Sequence, residues 1–184
     1  APAGVQSVKF ALEPFEDQGA LVQDLFDLTR NQKSLIFCNA RAEVEELCVA
    51  LNGRCRAESI EDRYLPHHGS VSAAIREEAE RKMRDADQPS SVVCTSTLEL
   101  GLDIGRIDLV VQIDATHTVA SLIQRVGRSG RRAGQSQAIK IYSTERLPFS
   151  FLQSLAVVEL WREKWCEPVR ERGKPFHILY QQIL

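Results

Sequence analysis

A mostly parallel β-sheet with helices on both faces, an open α/β domain, is the fold class the sequence predicts. Two observations carry it. Short apolar runs alternate along the chain with longer stretches of helical period. Three of those runs, SLIFC (34–38), SVVCT (91–95) and DLVVQI (108–113), are apolar nearly throughout. That is the pattern of strands shielded on both faces, which parallel sheets between helix layers require.

The elements follow in order. VKFAL (8–12) is a strand, and 16–30 has helical period. SLIFC leads into a helix over 41–52, RYLPH (63–67) into one over 72–85, and SVVCT into a short helical turn near 97–101. DLVVQI is followed by a helix over 118–126, and AIKIY (138–142) is the last strand. In such a sheet ligands gather beyond the carboxyl ends of the strands. The polar loops CNAR, HHGS and TSTLELGLD follow three of the strands, and QRVGRSGRR closes the helix after the fifth, so four loops are expected on one edge of the sheet. From residue 147 the character changes. LPFSFLQSLAVVELWREKW has a proline near a helix start and a long apolar face suited to packing on the domain. EPVRERGKP reads as a break, and a last helix is expected to begin in FHILYQQIL, docking through Phe176, Ile178, Leu179 and Ile183. The division is therefore 1–146 and a helical extension over 147–184.

At 184 residues, 43% hydrophobic and 26% charged, the composition is that of a globular domain. No run approaches the roughly 18 apolar residues of a membrane helix. The opening APAGVQSVKF has no signal-peptide pattern and, like the abrupt end at YQQIL, is expected to be a cut edge of a longer chain. The five cysteines, Cys38, Cys48, Cys55, Cys94 and Cys166, form no C-x-x-C pair. This argues against a zinc site or a disulfide framework and for a reducing, cytoplasmic setting. No metal site is expected in this chain.

The net charge of −2 excludes a global positive field, yet 17 of the 23 basic residues are arginine. That bias suits planar, bidentate recognition of phosphate. Arginine concentrates in QRVGRSGRR, where Arg125, Arg128 and Arg131 are spaced by three and interleaved with Gly127 and Gly130. Arg125 falls at a helix end, where a cation complements the dipole. The glycines are expected to break the helix, so that Arg128 and Arg131 project from loop backbone as a clamp for a polyphosphate. A solvated basic turn is the plainer reading. A chance match to Q-R-x-G-R-x-G-R somewhere in the chain has a probability on the order of 10⁻⁶.

QRVGRSGR resembles motif VI of superfamily 2 helicases. SLIFCNAR resembles motif IV, HHGSVSAAIR the nucleic-acid-contacting motif that follows, TSTLELGLDIG motif V, and DLVVQID the strand leading into motif VI. The matches occur in the family's order, so residues 1–146 resemble the second RecA-like domain of such an enzyme. The closest likeness is to the large helicase-related (Lhr) family. DEAD-box proteins usually carry histidine at Gln124 and arginine at Leu100. The extension resembles the approach to the winged-helix domain that follows the core in Lhr proteins.

The resemblance implies roles for matching residues. Arg128 and Arg131 would act as arginine fingers on ATP bound by a preceding RecA-like domain in cis, with Gln124 supporting the site and Arg125 bridging to a carboxylate. Gly101 and Asp103 would approach the nucleotide. Thr95, Gly69, Ser70, Arg76 and Asn39 would contact single-stranded nucleic acid, with DNA ahead of RNA. His68 suits packing and is not assigned catalysis, and no function is assigned to His67. Trp161 and Trp165, four apart, suit packing ahead of base stacking. Phosphoryl transfer also needs a phosphate cradle and a magnesium-binding carboxylate. The only GK pair is Gly173-Lys174, without the upstream glycine of a P-loop, and no D-E-x-H occurs. ATP and Mg would therefore be held mainly by the preceding domain. A monomer that shuttles along one strand is expected; a non-catalytic helicase-like binding module is the alternative.

Overall fold

The computed structural model describes residues 8–15, 17–85, 88–99, 104–129, 137–144 and 149–168. The elements are β1 (Val8–Phe15), α1 (Gln18–Thr29), β2 (Ser34–Phe37), α2 (Arg41–Ala57), β3 (Tyr64–His67), α3 (Ala73–Arg84), β4 (Ser91–Cys94), β5 (Leu109–Ile113), α4 (Val119–Val126), β6 (Gln137–Thr144) and α5 (Ser150–Arg162). A single 3₁₀ turn, Ser96–Leu98, follows β4. The six strands are ordered β1-β6-β5-β2-β4-β3, and every pairing is parallel. The predicted α/β class holds, and the sheet is wholly parallel among the described residues.

Alternate residues of the central strands feed two cores, as the period of two demands. Ile36, Val93 and Val111 pack with Leu25 and Phe26 of α1 and with Val44, Leu47 and Leu51 of α2. Leu35, Phe37, Val92 and Val110 pack with Met83 of α3, Leu122 of α4 and Val157 of α5. The sheet thus lies between two helices on one face and three on the other. Both edge strands carry a proline, Pro14 in β1 and Pro66 in β3. A residue with no N–H to donate blunts an edge against further pairing.

α2 runs past the predicted 41–52 to Ala57 despite Gly53. Its apolar stripe continues through Leu51 to Cys55, both fully buried, and this outweighs the cost of about 1 kcal/mol for a helical glycine. The helix then ends at a left-handed Ser59 (φ 58°), with Ile60 N–H donating to Cys55 O at 2.8 Å and Ser59 N–H to Arg56 O at 3.1 Å. Glycine is required at Gly105: its φ is +77°, and a Cβ would stand 3.1 Å from the Met83 carbonyl oxygen.

Two devices attach the segment after β6. Asp114, buried at the end of β5 with φ 58°, accepts hydrogen bonds from Thr144 N–H (2.7 Å), Thr144 Oγ1 (2.8 Å) and Ser150 Oγ (2.8 Å). The Trp161 ring meets Phe10 edge-on at 4.8 Å. Trp161 is therefore a packing residue. Trp165 does not share its helix: α5 closes at a left-handed Lys164, with Trp165 N–H donating to Leu160 O at 2.9 Å. Phe149, Phe151, Leu152 and Leu155 stay exposed on the outer side of α5. The expected final helix, with Phe176, Ile178, Leu179 and Ile183, lies outside the described residues. No helix among the described residues is long and apolar enough to cross a membrane.

Cys38, Cys48, Cys55 and Cys94 are buried and Cys166 is exposed. Burial pushes the four inner thiols up, Cys48 to about 12, so they carry almost no thiolate near neutrality. Maleimide treatment of the native chain at pH 8 should therefore add one group, at Cys166, by mass spectrometry, and five after denaturation.

Candidate functional site

The loop after β4 and the end of α4 are joined through one carboxylate. Glu99 Oε1 accepts from Arg125 Nε at 2.8 Å, and a second Arg125 nitrogen reaches the same oxygen. Arg125 is 4% exposed. Its remaining arm donates to Gln112 Oε1 on β5, and its guanidinium carbon lies 4.8 Å from the centre of the Phe37 ring. Gln112 is fully buried and donates its own amide to Ile113 O at 2.7 Å. Arg125 therefore bridges to a carboxylate, as the family resemblance implied.

Arg128 differs from expectation. It is 6% exposed, and its Nε and Nη2 donate to Glu99 O at 3.1 and 2.7 Å. The reason is local. Gly127 keeps right-handed helical angles (φ −63°, ψ −5°), and Arg128 N–H and Ser129 N–H still bond back to Arg125 O and Val126 O. The helix tightens into one more turn instead of breaking, and the turn lays Arg128 on the Glu99 carbonyl. Ser129, fully buried, accepts from Ala138 N–H at 3.2 Å and fixes the turn to β6.

α4 is held at its other end too. Thr118 Oγ1 accepts from Ser121 N–H at 3.0 Å, and the Glu167 carboxylate accepts from Val119 N–H (2.8 Å) and Ala120 N–H (3.0 Å). Three of the four N–H groups a helix leaves open are thus met. The bond from Val119 holds the Glu167 carboxyl below the usual carboxylate range.

A second cluster lies across β2 and β3. Arg41 Nη1 donates to Ser70 Oγ at 2.6 Å, and Ser70 N–H to His68 Nδ1 at 3.3 Å. Buried His68 stands 3.3 Å from Glu45 Oε1. Asn39 Nδ2 donates to Ala115 O at 3.0 Å, tying the loop after β2 to the loop after β5. Gly69 has open space on its Cβ side. Thr95 opens the 3₁₀ turn without a side-chain cap bond. On α3, Arg76 Nε is buried with no hydrogen-bond partner among the described residues.

Of the residues singled out in the sequence, Asn39, Gly69, Ser70 and Thr95 stand in loops that follow parallel strands, and Arg76 lies in the first turns of α3. Gln124, half-buried, and Arg128 stand at the end of α4. Gly101, Asp103 and Arg131 lie outside the described residues. Sequence reasoning missed Glu99, Gln112, Asp114, Ser129 and Glu167. A polar Gln112 inside an otherwise apolar strand was the one available signal for that network.

Residues 17–133 match the family described as the helicase conserved C-terminal domain, and the chain belongs to that family. Within it, the likeness is to the Lhr helicases. The ATP-dependent helicase Lhr-Core of Methanothermobacter thermautotrophicus is 36% identical over 137 residues, which cover 74% of this chain and 16% of that protein. The structure of Mycobacterium smegmatis helicase Lhr bound to ssDNA and AMP-PNP superposes with a TM-score of 0.84 at 28% identity, over 99% of this chain and 25% of that one. The Escherichia coli DEAD-box protein SrmB, at 20% identity and a TM-score of 0.63 over 81% of this chain and 84% of that one, shares the fold alone. The chain spans less than a fifth of the length of the Lhr-Core relative from Methanothermobacter.

Breaking a buried ion pair from one side strands the other charge and costs about 3–5 kcal/mol. Glu99→Ala should lower the unfolding free energy in urea by about 3 kcal/mol, and Glu99→Gln, which keeps an acceptor, by less. Glu167 gives a pH signature. Its folded pKa lies below the ordinary 4.5, so its contribution is complete above that value and fades as pH falls through the depressed one. The stability difference between the native chain and Glu167→Gln should therefore shrink as pH falls below 4.5.

Proposed function

We propose that the chain is the second motor domain of an ATP-dependent helicase or translocase acting on single-stranded nucleic acid, DNA ahead of RNA. The observation that carries the reading is the Glu99 node, which ties the motif V loop to the arginine turn of motif VI and orients Arg128. Family membership and the likeness to an Lhr structure with ssDNA and AMP-PNP support it.

Guanidinium groups fit a polyphosphate, so Arg128 and Arg131 would hold the phosphate end of ATP and offset charge there, with Gln124, Gly101 and Asp103 around the nucleotide. Among the described residues no three His, Cys, Asp or Glu side chains form a cluster that could hold a metal ion. The metal and the phosphate cradle would come from a preceding RecA-like domain in cis, since the sequence carries no P-loop and no D-E-x-H. When bound, ATP supplies the free energy of its terminal phosphoanhydride bond. The chain's part is to position the arginines and to grip the strand. The Glu99 carbonyl holds Nε and Nη2 of Arg128, so a phosphate that takes both nitrogens would have to draw the guanidinium off it. Meanwhile Thr95, Ser70, Gly69 and Arg76 would hold backbone phosphates, with Asn39 shaping the neighbouring loop.

A second reading, a binding module without hydrolysis, is favoured by one observation, the inward position of Arg128. The two part company in the longer protein. Arg128→Ala or Arg131→Ala should lower kcat for ATP by about 10²-fold or more while single-strand affinity without nucleotide changes little. Steady-state ATPase assays and anisotropy titrations measure both; loss of binding with retained turnover would support a basic patch instead. For the 184-residue chain alone, the log–log salt slope of single-strand binding should be shallow, about −2 to −4, because few phosphates are touched.

A further inference from the structure

His67, the last residue of β3, is 3% exposed and has no role in the reading above. Its contacts converge on three segments. Nδ1 lies 2.8 Å from Thr97 Oγ1. The Thr97 hydroxyl also lies 3.0 Å from the His67 carbonyl, which accepts from it. The same carbonyl accepts from Thr95 N–H at 3.3 Å. On the far side of the ring, Nε2 stands 3.3 Å from Glu80 Oε1 on α3. Glu80 is one helical turn beyond Arg76, on the same face of that helix. The chain leaving His67 runs directly into His68, Gly69 and Ser70.

We propose that His67 is a positioning residue for nucleic-acid binding, holding the Thr95 loop and the Arg76 helix in one geometry around the Gly69–Ser70 loop. The inference rests on the nucleic-acid reading of those loops and deepens it by naming what aligns them. Packing alone does not account for the site, because an aliphatic side chain would fill a buried strand end without polar partners. Here each ring nitrogen faces a side chain from a different element. The Thr95 hydroxyl makes no cap bond, and Arg76 Nε is buried without a partner among the described residues. The Thr95 hydroxyl and the Arg76 guanidinium are the groups a phosphate would meet, and their segments are both tied to the His67 ring, the Thr95 loop through Thr97 and the Arg76 helix through Glu80. Two phosphate donors on separate elements match a strand's fixed spacing only when those elements are held together.

The test is anisotropy titration of a fluorescein-labelled single-stranded oligonucleotide with the 184-residue chain at low salt. Thr95→Val and Arg76→Ala should each weaken binding. His67→Leu should raise Kd about fivefold, an effect of the size one lost hydrogen bond commands. Because His67 acts through the other two, adding His67→Leu to the Thr95→Val, Arg76→Ala double variant should change Kd by less than about twofold. Thr97→Val severs the Nδ1 contact from the opposite side and should reproduce the loss; it carries the test if His67→Leu fails to fold. A fall in Tm for both His67→Leu and Thr97→Val with unchanged Kd of the folded chain would make His67 purely structural and overturn the proposal. If Thr95→Val and Arg76→Ala themselves bind normally, the nucleic-acid reading of the loops fails and the positioning role falls with it. Loss in those two with normal binding by His67→Leu and Thr97→Val removes the positioning role alone.

Discussion

The contact between Glu99 and Arg125 joins four segments of this domain. It is a nearly buried ion pair whose cation also reaches Gln112 and lies over the Phe37 ring. Through it the segment after β4, the strand β5, the end of β2 and the helix α4 share one fixed point. A buried guanidinium is tolerated only when its donors are met, and here a carboxylate, an amide oxygen and an aromatic face meet them. The neighbouring Glu99 carbonyl then receives Arg128. One residue thus fixes the last turn of α4 twice, through its side chain and through its backbone.

The domain separates rigid from receptive parts. Continuous apolar strands, two helices on one face and three on the other make the scaffold. Around the strand ends, polar groups are tied in pairs across loops that are distant in sequence: Asn39 to Ala115, Arg41 to Ser70, His67 to Thr97. Loops carry the variable chemistry of such folds while the scaffold sets their spacing. The segment after α5 joins the same scheme, because Glu167 returns to the first turn of α4 and links whatever follows it to the helix that ends in the arginines.

The strands were legible because a strand covered on both faces has to be apolar at nearly every position, and SLIFC, SVVCT and DLVVQI are. The arginine turn was legible from its spacing, and Arg125 from its place at a helix end. The direction of Arg128 was not legible. Spacing locates a side chain on the chain, whereas the carbonyl that captures it lies 29 residues earlier. Glu99 stayed hidden within a motif whose glycine and aspartate drew attention, since nothing local marks a glutamate that pairs 26 residues away. The helix expected over 41–52 runs on to Ala57, through Gly53. The burial of Cys55 accounts for the added length.

The topology has a consequence for the order of assembly. Among the described residues β1 is the first strand and β6 the last, and there β1 pairs with β6 alone, Val8 opposite Gln137 through Phe15 opposite Thr144. The four strands between them can associate among themselves while β1 has no partner. During synthesis from the N-terminus, an eight-residue strand must therefore wait for nearly the whole domain to be made before it is paired. Bringing those ends together carries the largest loop-closure cost in the sheet. Until then β1 and the outer side of β5 are open edges of the kind that recruit other chains. The proline near the end of β1 and the charges of Lys9 and Glu13 along it guard the strand through that interval.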